Sequence, residues 1–413
     1  MNKRVSMAIE NMEVNAIYEG DNLEIMSKFP DKSVDLIYAD PPFFSNKHYE
    51  VIWKDKAEIR SFQDRWEGGI EHYITWMNPR LSECFRVLKN TGSMYLHCDT
   101  HANSHLRNSL DKIFGESNLR NEIIWHYRKW STGNKQFQNN HDTIFFYSKT
   151  NDKKRVFNKM FMERAQSTLK RFGNARIISG YDEKTGKRVP AQMADEESEG
   201  VSMDDVWEIG RVPPIKQLFP TQKPMPLLER IIEASSNKGD IVLDPFCGCG
   251  TTLMASQKLG RKWIGIDISP TACKLMKERL RKDYAMNAMM VKGEVDLRYV
   301  KHLPPFEFQN WVVIDKFLGT VSRTKSGDMG VDGYTSQIDG GYPIQVKQTE
   351  SIGRNPIDNF ETAMRRTGKK KGYFVALSFG KGAYEEVARA KNEEGVNILL
   401  RTAQDLIDGK ITE

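Results

Sequence analysis

Two short segments do most to restrict what this chain can fold into. In the first, the apolar run Leu36-Ile37-Tyr38-Ala39 ends in Asp40-Pro41-Pro42-Phe43. The second lies about two hundred residues later and reads Val242-Leu243-Asp244-Pro245-Phe246-Cys247-Gly248-Cys249-Gly250-Thr251-Thr252. Short apolar runs closed by turn residues read as buried strands. The first run ends by presenting a carboxylate, a rigid turn and an aromatic ring together. The second enters a glycine turn that opens a helix, which lets backbone approach a bound molecule closely.

The surrounding pattern agrees with an α/β fold. Residues 14–18 read as a strand ending at Glu19-Gly20-Asp21-Asn22, residues 23–29 as a helix, and residues 34–39 as the strand entering Asp40. Helical spacing over 74–88 stops at Lys89-Asn90-Thr91-Gly92, and 92–97 reads as a buried strand. From about 127 to 211 the alternation lapses. Lys and Arg interleave there with aromatic residues, as in His126-Tyr127-Arg128-Lys129-Trp130, Lys153-Lys154-Arg155-Val156-Phe157 and Leu169-Lys170-Arg171-Phe172. The acidic run Asp195-Glu196-Glu197-Ser198-Glu199 reads as a solvated loop. Helices over 227–234, 252–259 and 270–280 then bracket strands at 241–243 and 263–266, the latter ending at Asp267. Such order predicts a mostly parallel sheet covered by helices. Leu303-Pro304-Pro305 reads as a linker, and the residues from about 306 onward as a separate small α/β unit.

Length and composition narrow the class. A chain of 413 residues has room for two or three domains. With 39% hydrophobic and 28% charged residues it has the composition of a globular protein. No apolar stretch is long enough to span a bilayer, and no apolar core of secretory type follows the first residues, so a cytoplasmic protein is expected. The cysteines (Cys84, Cys98, Cys247, Cys249, Cys273) are odd in number and lack zinc-ribbon spacing, which argues against a disulfide framework. A net charge of +6 permits a nucleic-acid partner without demonstrating one.

The glycine turn gains meaning from its context. Asp267, closing the next strand, stands at a distance suited to gripping ribose hydroxyls. The three-glycine dinucleotide fingerprint and the Gly-Lys-Ser/Thr of a phosphate loop are both missing. That leaves a nucleoside cofactor without pyrophosphate, and S-adenosylmethionine fits.

The segment at Asp40 suits a flat base carrying an amino group. An exocyclic amine on adenine or cytosine is a poor nucleophile because its lone pair is delocalised into the ring. Asp40 and the carbonyl of Pro41 can each accept a hydrogen bond from it, favouring a pyramidal nitrogen. The carboxylate also stabilises the charge that develops there. Phe43 can stack on a base swung out of a duplex.

On these residues the chain resembles the DNA amino-methyltransferases whose catalytic motif precedes the recognition insert and the cofactor motif (the beta class). Asp40-Pro41-Pro42-Phe43 matches the catalytic motif, and Phe246-Cys247-Gly248-Cys249-Gly250 the cofactor motif. Thr221-Gln222-Lys223-Pro224 is similar to the family segment at the methionine end of the cofactor, and Asp21 to the acid beside its adenine. Leu96-His97-Cys98-Asp99 and Arg120-Asn121-Glu122-Ile123-Ile124-Trp125 resemble further landmarks. The resemblance implies a doubly wound, seven-stranded sheet in a catalytic domain over 1–300, with a target-recognition insert at 127–211. Catalysis would fall to Asp40, Pro41, Pro42 and Phe43. The cofactor would be held by Asp21, Lys223, Asp244, Phe246, Gly248, Gly250, Thr251 and Asp267. Asp at position 40 favours N6-adenine over N4-cytosine, and the family is often dimeric. RNA and protein-amide methyltransferases share similar tetrads, but the basic insert favours double-stranded DNA. His97-Cys98-Asp99 has metal-ligand residue types, yet consecutive strand residues diverge, so a structural role is expected.

The tail resembles an Mrr-type restriction endonuclease domain over 306–413. Asp332, Gln345 and Lys347 fall on its motif positions, with Asp332 and the Gln345 oxygen as implied Mg²⁺ ligands. Gln345 stands where related nucleases often carry a carboxylate, and Gln309 where a helix Glu would assist. The alternatives are therefore a fused restriction–modification protein, or a nuclease-like fold kept for DNA binding or dimer contact. In the insert, Lys and Arg would neutralise phosphates. Replacing Lys153, Lys154 and Arg155 together with neutral residues should weaken DNA binding and flatten its dependence on salt concentration. An unchanged slope of log K against log salt would remove this patch from the phosphate contacts.

Overall fold

The computed structural model describes residues 12–411 except 45–47, 53–57, 64–68, 130–134, 136, 179, 183, 188–191, 214, 216, 218–221, 294, 304, 323–329 and 337. Thr221 and Trp130 therefore lie outside the described residues.

The larger sheet contains nine strands. In chain order these are β1 (Ala16–Glu19), β2 (Val34–Ala39), β3 (Leu88–Cys98), β4 (Leu119–His126), β5 (His141–Ser148), β6 (Val206–Glu208), β7 (Ile241–Asp244), β8 (Lys262–Asp267) and β9 (Met289–Lys292). They lie side by side as β6-β4-β5-β3-β2-β7-β8-β1-β9. At the centre β7 pairs in parallel with β2, with Val242 opposite Leu36 and Leu243 opposite Ile37. The sheet is covered on both faces, as the uniformly apolar strands require. Leu36 and Tyr38 pack into one core with Leu227 and Ile231 of the helix Met225–Ser235. Ile37 and Ala39 face the other way, against Tyr73, Met77 and Leu81 of the helix Gly69–Val87. Successive strand residues point to opposite faces, so one short run serves two cores.

The doubly wound sheet is the expected one, extended by the short edge strands β6 and β9, which pair with β4 and β1. The insert differs more. Its His141–Ser148 stretch is not part of a recognition surface but a central strand, antiparallel to both β3 and β4. Phe145, Phe146 and Tyr147 are buried, and Phe146 stacks on Tyr95 at 4.5 Å between ring centroids. Its Val206–Glu208 stretch is the edge strand β6, and the rest of the insert's regular structure is small two-stranded ladders and the helix Gln166–Phe172. The acidic run begins in one of these ladders, since Gln192–Glu197 pairs antiparallel with Ala175–Ile178. Among the described residues no helix is long and apolar enough to cross a membrane. The cysteines are buried and unpaired.

The C-terminal sheet has five strands in sequential order: β10 (Thr320–Val321), β11 (Gly333–Tyr334), β12 (Pro343–Lys347), β13 (Lys371–Ala376) and β14 (Asn397–Thr402). Helices Arg354–Thr367 and Lys381–Glu394 pack beside it, each closed by a left-handed glycine, Gly368 and Gly395. The expected linker begins at a residue that is packed, not solvated. Leu303 is buried and shares a core with Tyr299, Val300, Phe308, Ile344, Val346 and Leu406, and Ile268 of the larger domain packs against it. An apolar side chain at that position is removed from water instead of spacing two bodies apart.

Candidate active site

Parallel pairing of β2 with β7 puts Asp40 and Asp244 at neighbouring strand ends, where open α/β sheets bind ligands. A cavity of about 510 Å³ opens there. Asp40, Pro41, Pro42 and Phe43 line it together with Asp244, Phe246, Gly248, Thr251 and Asp267, and with Asp21 and Lys223. Gly250 stands just behind, so the segments singled out in the sequence converge on one place. Its φ of +77° is left-handed, and a Cβ there would come within 2.6 Å of Met276 Cγ. The glycine is thus required for the turn and for packing at once.

The carboxylates are differently held. Asp244 accepts hydrogen bonds from Thr252 Oγ1 at 2.5 Å and from the Phe246 amide at 3.0 Å. Asp267 accepts from the Gly248 amide at 2.7 Å and the Ser269 amide at 2.9 Å. Burial nevertheless pushes both carboxyls up to about 7, against those hydrogen bonds. Asp21 caps the helix Asn22–Ser27 and is ion-paired at 2.6 Å with Arg80, whose guanidinium lies over the Trp76 ring.

Asp40 is the centre of the arrangement. One carboxylate oxygen, Oδ2, accepts from Lys223 Nζ, which also lies 5.0 Å from the centre of the Phe43 ring. The other, Oδ1, is buried with no hydrogen-bond partner, 3.7 Å from His97 Nδ1. Buried acceptors are normally satisfied, so an orphaned one on a residue that lines a cavity fits an incoming N–H donor. His97 has no solvent exposure and contacts Tyr38 Oη at 2.9 Å and Asp142 Oδ2 at 3.3 Å. Burial opposes ionisation of Asp142, yet the His97 hydrogen bond and the Lys223 charge hold its carboxyl below the usual range.

The sequence reading missed His97, Asp142, Arg80 and Trp76 as parts of this site. Trp76 and Arg80 are four apart on one helix, a spacing that places side chains together. Asp142 carries no local signal, because it lies inside the basic aromatic stretch whose composition points to an insert. The basic aromatic stretch also forms a separate cleft, lined by Tyr127, Arg128, Lys129 and Arg211. Lys153 and Lys154 are exposed.

In the C-terminal domain, Asp332 Oδ2 accepts from Gln345 Nε2 at 2.6 Å and from the Val346 amide at 2.7 Å. Lys347 is exposed at the end of the same strand. The nuclease-motif residues are therefore adjacent. The Gln345 amide donates to Asp332, however, instead of turning its oxygen toward a shared cation. Among the described residues no group of three His, Cys, Asp or Glu ligands forms around Asp332. The grouping that does occur, Asp358, Glu361 and Glu386, is occupied by Arg365 and Arg389. The residues present do not fit Mg²⁺ in this arrangement.

A family described as DNA methylase matches residues 34–278, more than half of the chain. The chain belongs to that family. A second, described as restriction endonuclease, matches residues 303–408. The chain is 32% identical over 276 residues to the type II methyltransferase M.BamHI of Bacillus amyloliquefaciens, covering 65% of this chain and 57% of that one. It thus spans little more than half of that relative's length. It is 33% identical over 275 residues to the DNA adenine methyltransferase YhdJ of Escherichia coli, covering 65% and 83% respectively. A solved M1.HpyAVI–SAM complex aligns with a TM-score of 0.40 at 21% identity, over 64% of this chain and 98% of the other.

The raised carboxyls set a pH dependence. A ligand that is cationic or donates hydrogen bonds favours their ionised forms, so below pH 7 its binding must displace protons. S-adenosylmethionine affinity should therefore rise from pH 6 to 8, by up to about tenfold per pH unit for each carboxyl below its pKa. Titration calorimetry on Asp267→Asn should show a shallower dependence; an identical pH profile would sever Asp267 from the effect.

Proposed function

We propose that this chain methylates N6 of adenine in double-stranded DNA, using S-adenosylmethionine, at a base turned out of the duplex. The observation that carries this reading is Asp40, whose buried Oδ1 has no hydrogen-bond partner among the described residues, lining the same cavity as the glycine turn. The cavity supports a nucleoside: Asp267 and Asp244 supply buried acceptors, and the glycine turn keeps Cβ atoms away from Met276. When bound, S-adenosylmethionine would supply an electrophilic methyl group on a sulfonium centre.

Asp40 accepts one N–H of the target amine through Oδ1, and the Pro41 carbonyl accepts the other. The two bonds draw the lone pair out of conjugation and aim it into the cavity. Lys223 holds Oδ2, keeping the carboxylate oriented while the base enters. Phe43 offers a ring face to the base, on a cluster that includes His97 at 5.3 Å. The Asp at position 40 and the likeness to YhdJ support adenine over N4-cytosine. A catalytic domain over 1–300, a restriction-endonuclease-type domain over 306–413, a cytoplasmic location and a homodimer complete the proposal.

Methylation-aware sequencing of DNA from cells expressing the chain should find N6-methyladenine within one recognition sequence; N4-methylcytosine would move the assignment to the other base. Asp40→Ala should lower transfer of labelled methyl at least about a hundredfold while still binding cofactor. Full transfer by that variant would end the mechanism.

A second activity is favoured by the restriction-endonuclease match and opposed by the Asp332–Gln345 hydrogen bond. We infer a domain that contacts DNA and cleaves it weakly at most, since a neutral Gln brings little charge to a divalent cation. Unmethylated DNA with Mg²⁺ should therefore stay uncut, and cutting that is lost in Lys347→Ala would overturn this reading. Rapid cutting that survives that substitution would place the nuclease site elsewhere.

A further inference from the structure

The cavity at Asp40 is not built from the methyltransferase sheet alone. Lys301, His302, Leu303, Pro305 and Gln348 line it beside the glycine turn. The side chain that organises this wall is Gln348, one residue beyond β12. Its Nε2 donates to the carbonyls of Leu303 at 2.7 Å, Val300 at 3.2 Å and Lys301 at 3.3 Å. Those carbonyls end the helix Leu297–His302 and would otherwise lack intrahelical partners. Lys301 Nζ is in turn ion-paired with Glu350 Oε1 at 2.6 Å.

A second connection runs through buried polar groups. Asp267 accepts from the Ser269 amide, and Ser269 Oγ, which caps the helix Pro270–Tyr284, donates to Glu307 Oε1 at 2.6 Å. Glu307 belongs to the C-terminal domain and is 1% exposed. Hydrogen bonds thus link an acceptor in the cavity to the first helix of the nuclease-like fold. On β12, Gln345 and Lys347 share one face, and Gln348, the next residue, reaches the 300–303 carbonyls. One short segment therefore carries both the nuclease motif and a residue of the cavity wall.

We propose that Gln348 of the C-terminal domain, with Lys301, His302, Leu303 and Pro305 of the connecting segment, forms part of the cofactor site, so that S-adenosylmethionine binding is coupled to the strand bearing Gln345 and Lys347. The proposal rests on the reading of this cavity as the cofactor site. Coupling of this kind is reciprocal: whatever orders the strand tightens cofactor binding by the same factor. Packed cores and hydrogen-bonded turns transmit such an effect because they shift between discrete arrangements instead of deforming gradually.

Hydrogen exchange on the full-length protein tests this without any substitution. S-adenosylmethionine should slow exchange in the 244–252 turn and also in 297–303 and 343–350. Protection confined to the methyltransferase sheet, in a protein that binds the cofactor, would overturn the coupling. Absence of any cofactor binding would instead overturn the reading beneath it. In calorimetry, Gln348→Ala should weaken S-adenosylmethionine binding about tenfold, the scale expected for losing hydrogen bonds that order a binding wall. An affinity equal to wild type would likewise overturn the proposal. Glu307→Gln, which keeps the shape, should remove part of the protection in 297–303; unaltered protection would exclude the Ser269–Glu307 connection.

Discussion

Everything at the site depends on a parallel ladder only a few residues long. Because β2 and β7 pair with Leu36 beside Val242 and Ile37 beside Leu243, their chain ends emerge together. Slipping that register by one residue would turn Leu36 and Tyr38 out of one core and Ile37 and Ala39 out of the other. The register is fixed on both faces by side chains with essentially no solvent exposure, the burial of Leu36 and Ile37 being worth about 1.5–3 kcal/mol each. The position of Asp40 is therefore set by hydrophobic packing on residues that never meet a ligand.

On that frame the site concentrates negative charge in a poorly hydrated place. Asp40, Asp244 and Asp267 all reach the cavity, while Lys223 and Arg80 each neutralise one acid beside it. The division of labour follows from hydrogen bonding. Asp244 and Asp267 are already engaged by backbone and hydroxyl donors, which hold the turn in shape, while burial, against those donors, raises their carboxyls. Asp40 keeps one oxygen without a donor. A buried acceptor left unmatched costs about 1–3 kcal/mol, which an amine donor recovers on entering. Strain of this sort is tolerated where a ligand completes the structure.

Much of this was legible in the chain because local signals coincide there. Apolar runs closed by Asp-Pro-Pro and by a glycine turn specify strand, turn and helix without outside help, and the parallel order follows from their alternation. His141–Ser148 was not legible. Aromatic residues near Lys and Arg look alike whether they stack on bases or fill a core, and only pairing with β3 decides between those fates. The same holds for Gln192–Glu197, whose acidic composition suits solvent but whose backbone joins a hairpin. His97 was read as structural because neighbouring strand residues diverge. That rule is correct for Cys98 and Asp99, yet it says nothing of what approaches His97 from β5. Such contacts lie in topology, not in composition.

The joint between the domains explains a peculiarity of the nuclease-like half. Its first helix carries Glu307 and Gln309, and the roles they take are the reverse of what catalysis there would want. Glu307, the charged one, is buried against Ser269 of the methyltransferase domain, and burial raises its carboxyl. Gln309, the neutral one, faces the nuclease motif and donates to the Asp332 carbonyl at 3.0 Å. A carboxyl held at a dry interface cannot also help bind a cation beside Asp332. Joining the two folds through Glu307 thus ties this helix to Ser269, which lines the Asp40 cavity, and leaves the nuclease motif with the neutral Gln309. The same helix cannot serve both ends equally, and here its geometry favours the methyltransferase.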